Sequence, residues 1–186
     1  MTRIVNGTGQ ADYAFDRKSA ALDPRTTLMV RNIPNKYTQW AVLDELDEKF
    51  KGRCDFFYLP IDFTNKCNVG YAFVNMTESV DAVAFHGAFD GRRWTCFRSG
   101  KVSAITYARI QGKTAMIQRF QNSSLLAESL EVQPRLFVSD GPDRGRPERY
   151  PGGAPLPVEP APVIEAPPPP PPRRRNRGGA SARNRG

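Results

Sequence analysis

The chain has little cysteine and almost no histidine. Its three cysteines, Cys54, Cys67 and Cys96, are odd in number and never spaced as Cys-x-x-Cys, and His86 is the single histidine. A disulfide framework and a zinc site are therefore not expected, and a reducing compartment is. No apolar run approaches the roughly 20 residues that span a bilayer. The N-terminus lacks the basic-then-apolar layout of a secretory signal. A soluble, intracellular chain without a membrane partner is expected. Catalytic furniture is missing too: there is no phosphate-cradling glycine loop, no nucleophile beside a base and no metal cluster. The densest acidic group, Asp44, Glu45, Asp47 and Glu48, falls on a predicted helix and reads as its solvated face. Neither an enzyme nor a bound cofactor or metal is expected.

Apolar residues make up only 39% of the 186, while prolines number 17, most of the excess lying after position 140. The net charge is +8. Residues 141–186 carry nine arginines against four acidic residues, and residues 25–139 carry fifteen basic against eleven acidic. A mildly basic domain with a basic tail suits a polyanionic partner.

Periodicity divides the chain. Residues 1–25 are polar, lack a sustained period and read as a flexible lead-in. Thr27–Ile33 alternates as a strand, with Leu28 and Val30 on one side and Met29 and Arg31 on the other. Pro34 and Asn35 break it. Thr38 is a candidate N-cap for a helix with Val42, Leu43, Leu46 and Phe50 at helical spacing, and Gly52 fits its stop. Cys54–Leu59 reads as a second strand, Pro60–Asn68 as a loop and Val69–Met76 as a third strand. Thr77 is placed as the cap of a second helix packing through Val80, Val83, Ala84 and Gly87. Asp90-Gly91 is a turn, Trp94 and Phe97 read as loop anchors, His86 as structural or exposed, and Lys101–Ile110 as a fourth strand. Strand, helix, strand, strand, helix, strand is the split βαβ order of an α+β, ferredoxin-like domain. It has a four-stranded antiparallel sheet, two helices on one face and the other face open. The domain is expected over 26–112. An extension over 113–139 follows, with Met116, Ile117, Phe120, Leu125 and Leu126 compatible with a third helix that covers apolar surface, adds specificity or occludes the open face. A disordered tail is expected over 140–186.

Along the third strand, Ala72 and Val74 face the helices while Tyr71 and Phe73 share the open face. The run Gly70-Tyr71-Ala72-Phe73-Val74 falls on the strand signature of an RNA recognition motif, basic-Gly-aromatic-small-Phe-Val-x-aromatic. Val69 stands where a basic residue is expected and Met76 where an aromatic is expected. Beyond that signature, DFFYLPIDFTNKCNVGYAFVN (Asp55 to Asn75), RNIPNKYT (Arg31 to Thr38) and ITYARIQGKTAMIQRFQNSSL (Ile105 to Leu125) closely resemble the C-terminal RNA recognition motif of the Mei-two-like meiosis-regulator family. The resemblance covers roughly residues 26 to 139. It implies a single-stranded RNA-binding module in post-transcriptional control of meiosis or differentiation, acting in nucleus, cytoplasm or both.

The site follows by register. Met29 holds the first-strand position where the generic module places an aromatic stacker, and Arg31 shares its face. On the second strand the alignment puts Phe57 and Leu59 in the core and Phe56 and Tyr58 on the open face. Tyr71 and Phe73 complete the platform, on which unpaired bases stack. Tyr107 shares parity with Ile105 and reads as core. Lys36, Lys66, Arg109 and Lys113 are the candidates for phosphate contacts at the rim. In the tail, Pro167–Pro172 favours a polyproline II rod suited to SH3-like or WW-like partners. The arginines from Arg173 to Arg177 suit RNA or nuclear import. A monomer is expected. The competing function is a protein-binding module on the same fold.

Overall fold

Alternation along the first strand divides the molecule into two sides. The computed structural model describes residues 13–16 and 19–151. Within them run β1 (Thr27–Arg31), α1 (Gln39–Phe50), β2 (Cys54–Tyr58), the short hairpin β3 (Ile61–Asp62) and β4 (Cys67–Asn68), β5 (Tyr71–Met76), α2 (Ser79–Phe89), β6 (Ala104–Tyr107), α3 (Lys113–Phe120), β7 (Arg135–Phe137) and β8 (Pro147–Glu148). The antiparallel main sheet is ordered β6-β1-β5-β2-β7-β8. Its first four strands, with α1 and α2, make the mixed α/β RNA recognition fold. The expected four-stranded sheet is extended to six by β7 and β8.

Leu28, Val30, Phe57, Leu59, Ala72, Val74, Ile105 and Tyr107 point to one side of the sheet and meet Val42, Leu43, Leu46 and Phe50 of α1 and Phe85 and Phe89 of α2. Phe85 and Phe89 stack at 4.7 Å, and Phe50 meets Phe85 edge-on at 5.3 Å. Each such buried ring contributes on the order of 1.5–3 kcal/mol. Thr38 caps α1, its Oγ1 accepting from the Ala41 N–H at 3.2 Å, and Gly52 ends it at φ +73°.

Three local expectations are corrected. α2 packs through Ala82, Phe85 and Phe89, with Val80 out in solvent, because two phenylalanines one helical turn apart bury more area than the small-residue stripe. Glu78 rather than Thr77 sits at its N-cap. Glu45 is not part of a solvated face. It is 6% exposed and accepts from Tyr37 Oη (2.6 Å), Thr95 Oγ1 (2.7 Å) and the N–H groups of Thr95 and Cys96 (both 3.1 Å). These bonds fasten the loop between α2 and β6 to α1, while Trp94 and Phe97 pack edge-on against Tyr37.

Both flanks differ from the expected lead-in and tail. Tyr13 O accepts from the Tyr107 N–H at 2.9 Å, and Phe15 stacks on His86 at 3.9 Å and on Tyr107 at 4.8 Å. At the other end the chain does not leave the domain at Asp140: it turns back through β8 to a buried Tyr150. The turn fits because Arg144 Nε donates to Gly52 O at 2.6 Å, and because Gly145 (φ +84°) has no side chain, a Cβ there lying 2.7 Å from Gly52 Cα. Pro167–Pro172 and the arginine cluster lie outside the described residues.

Candidate nucleic-acid interface

The side of the sheet away from α1 and α2 carries two rows of residues. Register puts Met29 between Thr106 and Phe73, with Tyr58 beyond Phe73, and puts Arg31 between Ala104 and Tyr71. Arg31 is exposed, and Met29, Tyr71 and Phe73 are half-buried. The Tyr71 and Phe73 rings stand edge-to-face, centroids 5.7 Å apart at 75°. This strip over β6, β1 and β5 presents two aromatic rings, a thioether and a guanidinium to solvent, a set suited to stacking on flat ligands and pairing with anions.

The half over β2 is closed. Phe56 and Tyr58 do face away from α1 and α2, with Phe57 and Leu59 in the core. α3 lies across them. Phe120 stacks on Phe56 (6.1 Å, 20°) and meets Tyr58 edge-on (4.8 Å, 65°), and Met116, Leu136 and Tyr150 complete the cluster. Phe56 is 0% and Tyr58 6% exposed. Their reading as base-stacking residues is corrected accordingly, since a base reaches neither ring while α3 is docked. Burial, then the neighbouring Tyr71, pushes the Tyr58 hydroxyl above its ordinary pKa. Burial pushes Tyr150, whose hydroxyl donates to Ile117 O at 2.7 Å, up to about 12.

A polar strip holds this cover in place. The Gly112 N–H donates to Thr27 Oγ1 (2.7 Å), Thr27 Oγ1 to Asn75 Oδ1 (2.6 Å), Asn75 Nδ2 to Asp55 Oδ1 (2.7 Å), and Ser139 Oγ to Asp55 Oδ2 (2.9 Å). The bulge in β2 between Cys54 and Phe56 turns Asp55 into this strip. Gln111 adds four contacts. Its Oε1 accepts from the N–H groups of Thr26 (3.1 Å) and Thr27 (2.9 Å), and its Nε2 donates to Thr27 O (2.9 Å) and Ala108 O (2.7 Å). The strip thus joins β1, β5 and β2 to the start of α3 and to the segment after β7. Buried polar groups satisfied in this way specify one arrangement.

The rim cations separate into two kinds. Lys36, Lys66 and Arg109 are exposed, Lys66 on the β3–β4 hairpin at φ +51°. Lys113 is corrected: its Nζ donates to Phe137 O and Ser139 Oγ and pairs with Glu148, so it ties α3 to the β7–β8 hairpin and is not available for phosphate. Sequence reasoning named Phe120 on a helix with occlusion of the open face as one of its alternatives, and missed Leu136 and Tyr150 as parts of the lid. The Met116, Ile117, Phe120 spacing signalled an amphipathic helix without saying which surface it covers. Among the described residues no group of three or more His, Cys, Asp or Glu side chains gathers as a metal site.

The family model described as RNA recognition motif 2 matches residues 25–121. Protein MEI2-like 2 of Oryza sativa subsp. japonica is 58% identical over 155 residues, 80% of this chain and 18% of the relative. Protein MEI2-like 1 of Arabidopsis thaliana is 55% identical over 139 residues, 75% and 15% respectively. Meiosis protein mei2 of Schizosaccharomyces pombe is 44% identical over 151 residues, 81% and 20%. The chain therefore spans a fifth or less of these relatives. Among solved structures, a Sxl-lethal protein/RNA complex is similar at a TM-score of 0.39 and 22% identity, covering 48% of this chain and 50% of that one. An Rna15 RRM with bound RNA (GU) is similar at 0.41 and 16%, covering 53% and 98%. The fold assignment rests on the topology and the family match.

Proposed function

The chain belongs to the RNA recognition motif 2 family, as a Mei2-like protein, and on that premise we propose that it binds single-stranded RNA by stacking bases on Tyr71 and Phe73. The observation that carries the reading is the open strip itself, with Tyr71 and Phe73 side by side on β5 and Arg31 and Met29 beside them on β1. Met29 offers dispersion without a flat π face, so the stacking falls mainly to the β5 pair. Arg31, Lys36, Lys66 and Arg109 attract the phosphates, which makes binding salt-dependent. With β2 covered, the platform is narrower than the whole sheet. The names of the relatives support a role in meiosis, and we propose that it is exerted by post-transcriptional regulation of meiosis or differentiation. The Pro-rich tail is proposed to engage SH3-like or WW-like domains.

The test is fluorescence anisotropy of a short single-stranded RNA with the Tyr71→Ala, Phe73→Ala double variant. Each stack contributes on the order of 1–3 kcal/mol, so binding should weaken by about 30-fold or more. Both rings are half-buried on the open side and Phe73 also packs against the Phe56–Tyr58 cluster, so a modest loss of stability is expected and affinity is compared where the variant is folded. Unchanged affinity in a folded double variant would sink the stacking mechanism. A partner retained after RNase treatment, with no RNA pool bound, would favour the protein-binding alternative.

A further inference from the structure

The last row of the open strip, Ala104, Arg31 and Tyr71, stands where three connections meet. β1 leaves the sheet there for α1, β5 enters from the β3–β4 hairpin, and β6 enters from the segment after α2. Hydrogen bonds tie these connections together. The Ile33 N–H donates to Gly70 O (3.0 Å), Asn35 Nδ2 to Asn68 O (3.2 Å), Asn68 Nδ2 to Pro34 O (2.8 Å) and Asn32 Nδ2 to Val102 O (3.0 Å). Asn32, the first residue past β1, adopts φ +60°, in the left-handed region where asparagine is enriched.

Lys101 completes the tie. Its Nζ donates to Ile33 O at 3.2 Å and to Asn35 Oδ1 at 2.8 Å. An ammonium has three donors, so one is left over. Both acceptors are neutral, and no ion pair among the described residues includes Lys101, which stays exposed. Ile33 is two residues past Arg31, at most about 7 Å along the chain, and its N–H holds the residue before Tyr71. The charge is therefore fixed beside the platform. Its surroundings share its sign: Arg31, Lys36, Lys66 and Arg98 are exposed at the same end and also lie outside those ion pairs. The ion-paired cations sit at the other end, where β1 begins and β5 stops, as in Arg25–Asp23, Arg53–Asp81 and Lys113–Glu148.

We propose that Lys101 is a phosphate-binding residue and that the RNA strand leaves the platform over this end of the sheet, an inference that rests on the single-stranded RNA reading above. The third ammonium N–H takes a phosphodiester oxygen next to the base stacked on Tyr71. Asn35 is a positioning residue. Its side-chain oxygen holds the ammonium and its amide holds the hairpin, without the neutralising charge that an aspartate would bring. A lysine fixed in advance loses less rotamer freedom when the phosphate arrives. A fixed charge beside a stacking ring suits a base and its own phosphate. The other end of the sheet, with its carboxylates, does not draw the strand.

The test is the salt dependence of binding by the full chain to a short, end-labelled single-stranded RNA of random sequence, read by anisotropy. Lys101→Gln should weaken binding by about five- to tenfold near 50 mM salt and lower the slope of log affinity against log salt by about 0.7, the share of one single-strand phosphate. Lys101→Arg keeps the charge and should keep the slope. Asn35→Asp, which sets a carboxylate against the ammonium, should lower the slope as Lys101→Gln does. Lys51→Gln removes the same charge from the far end of α1 and should leave the slope as it is. The arginine-rich tail is common to all these variants and cancels in the comparison. An unchanged slope in Lys101→Gln, or an equal fall in Lys51→Gln, would overturn the proposal. The stacking mechanism fails separately, through full affinity in the Tyr71→Ala, Phe73→Ala variant, and a wild type that binds no RNA would overturn both. If thermal unfolding shows Lys101→Gln unfolded, Asn35→Asp carries the comparison.

Discussion

Phe120 of α3 lies edge-on over Tyr58 of β2, ring centroids 4.8 Å apart, and stacks on Phe56 beside it. This contact turns an aromatic strand that would face solvent into the floor of a second small core. It confines the open platform to β6, β1 and β5.

Replacing Phe120 by alanine should therefore loosen the cover. Phe120 is only partly buried, so a cost of about 1–3 kcal/mol is expected, below the range for a fully buried ring. Thermal unfolding should move down and hydrogen exchange in α3 should speed up. RNA affinity should fall much less than in the β5 double variant, because Phe120 covers β2 and only Phe73, at the edge of the same cluster, is shared with the open platform. A loss as large as that of the β5 double variant would mean that Phe120 itself touches RNA.

Gln111 makes four hydrogen bonds to backbone around the start of β1. Gln111→Ala leaves those groups to find water or go unpaired, a loss of on the order of 2–4 kcal/mol. Denaturant unfolding measures it. Gln111→Glu, which keeps acceptors and loses both amide donors, should fall between wild type and alanine. A change below about 0.5 kcal/mol in the alanine variant would show that the strip is decorative.

Glu45 and Tyr37 set opposite limbs of the pH profile. Burial works to raise the Glu45 pKa, but the donors Tyr37, Thr95 and Cys96 overcome it and hold the carboxyl below its ordinary 4.5. The unfolded chain then binds the proton more tightly, so this stability is full above pH 4.5 and drains as pH falls through the lower folded value. Tyr37 runs the other way. Burial, then the bond to Glu45, raises it from 10.0 to about 12, so its contribution is full below pH 10 and drains as pH rises to about 12. Glu45→Gln should lower stability at neutral pH and flatten the acid limb. An acid limb as steep as that of wild type would assign it to other carboxylates.

Sequence periodicity reached the core because a strand's alternation is a property of its own backbone. Leu28, Val30, Ala72 and Val74 could face only one way once Tyr71 and Phe73 faced the other. α2 was read less well: Phe85 and Phe89 outcompeted Val80 and Val83 for the sheet, a choice that depends on Phe50 across the core. The parity of Phe56 and Tyr58 was readable and their accessibility was not. Glu45 looked like one of four equivalent surface acids until the loop carrying Thr95 and Cys96 folded over it.

The sequence by itself determined the order of the four central strands and three helices, the family and the pairing of Tyr71 with Phe73 on one face, but not the β3–β4 hairpin inside the expected loop over 60–68 nor the added strands β7 and β8. What it did determine follows from local spacing and from motifs contiguous in the chain. Only the tertiary structure decided which aromatics stay open. Whether α3 lies over β2 depends on Phe120, Leu136 and Tyr150 meeting Phe56 and Tyr58, and on the strip from Thr27 through Asn75 and Asp55 to Ser139. These partners are scattered along more than a hundred residues, and only packing brings them together.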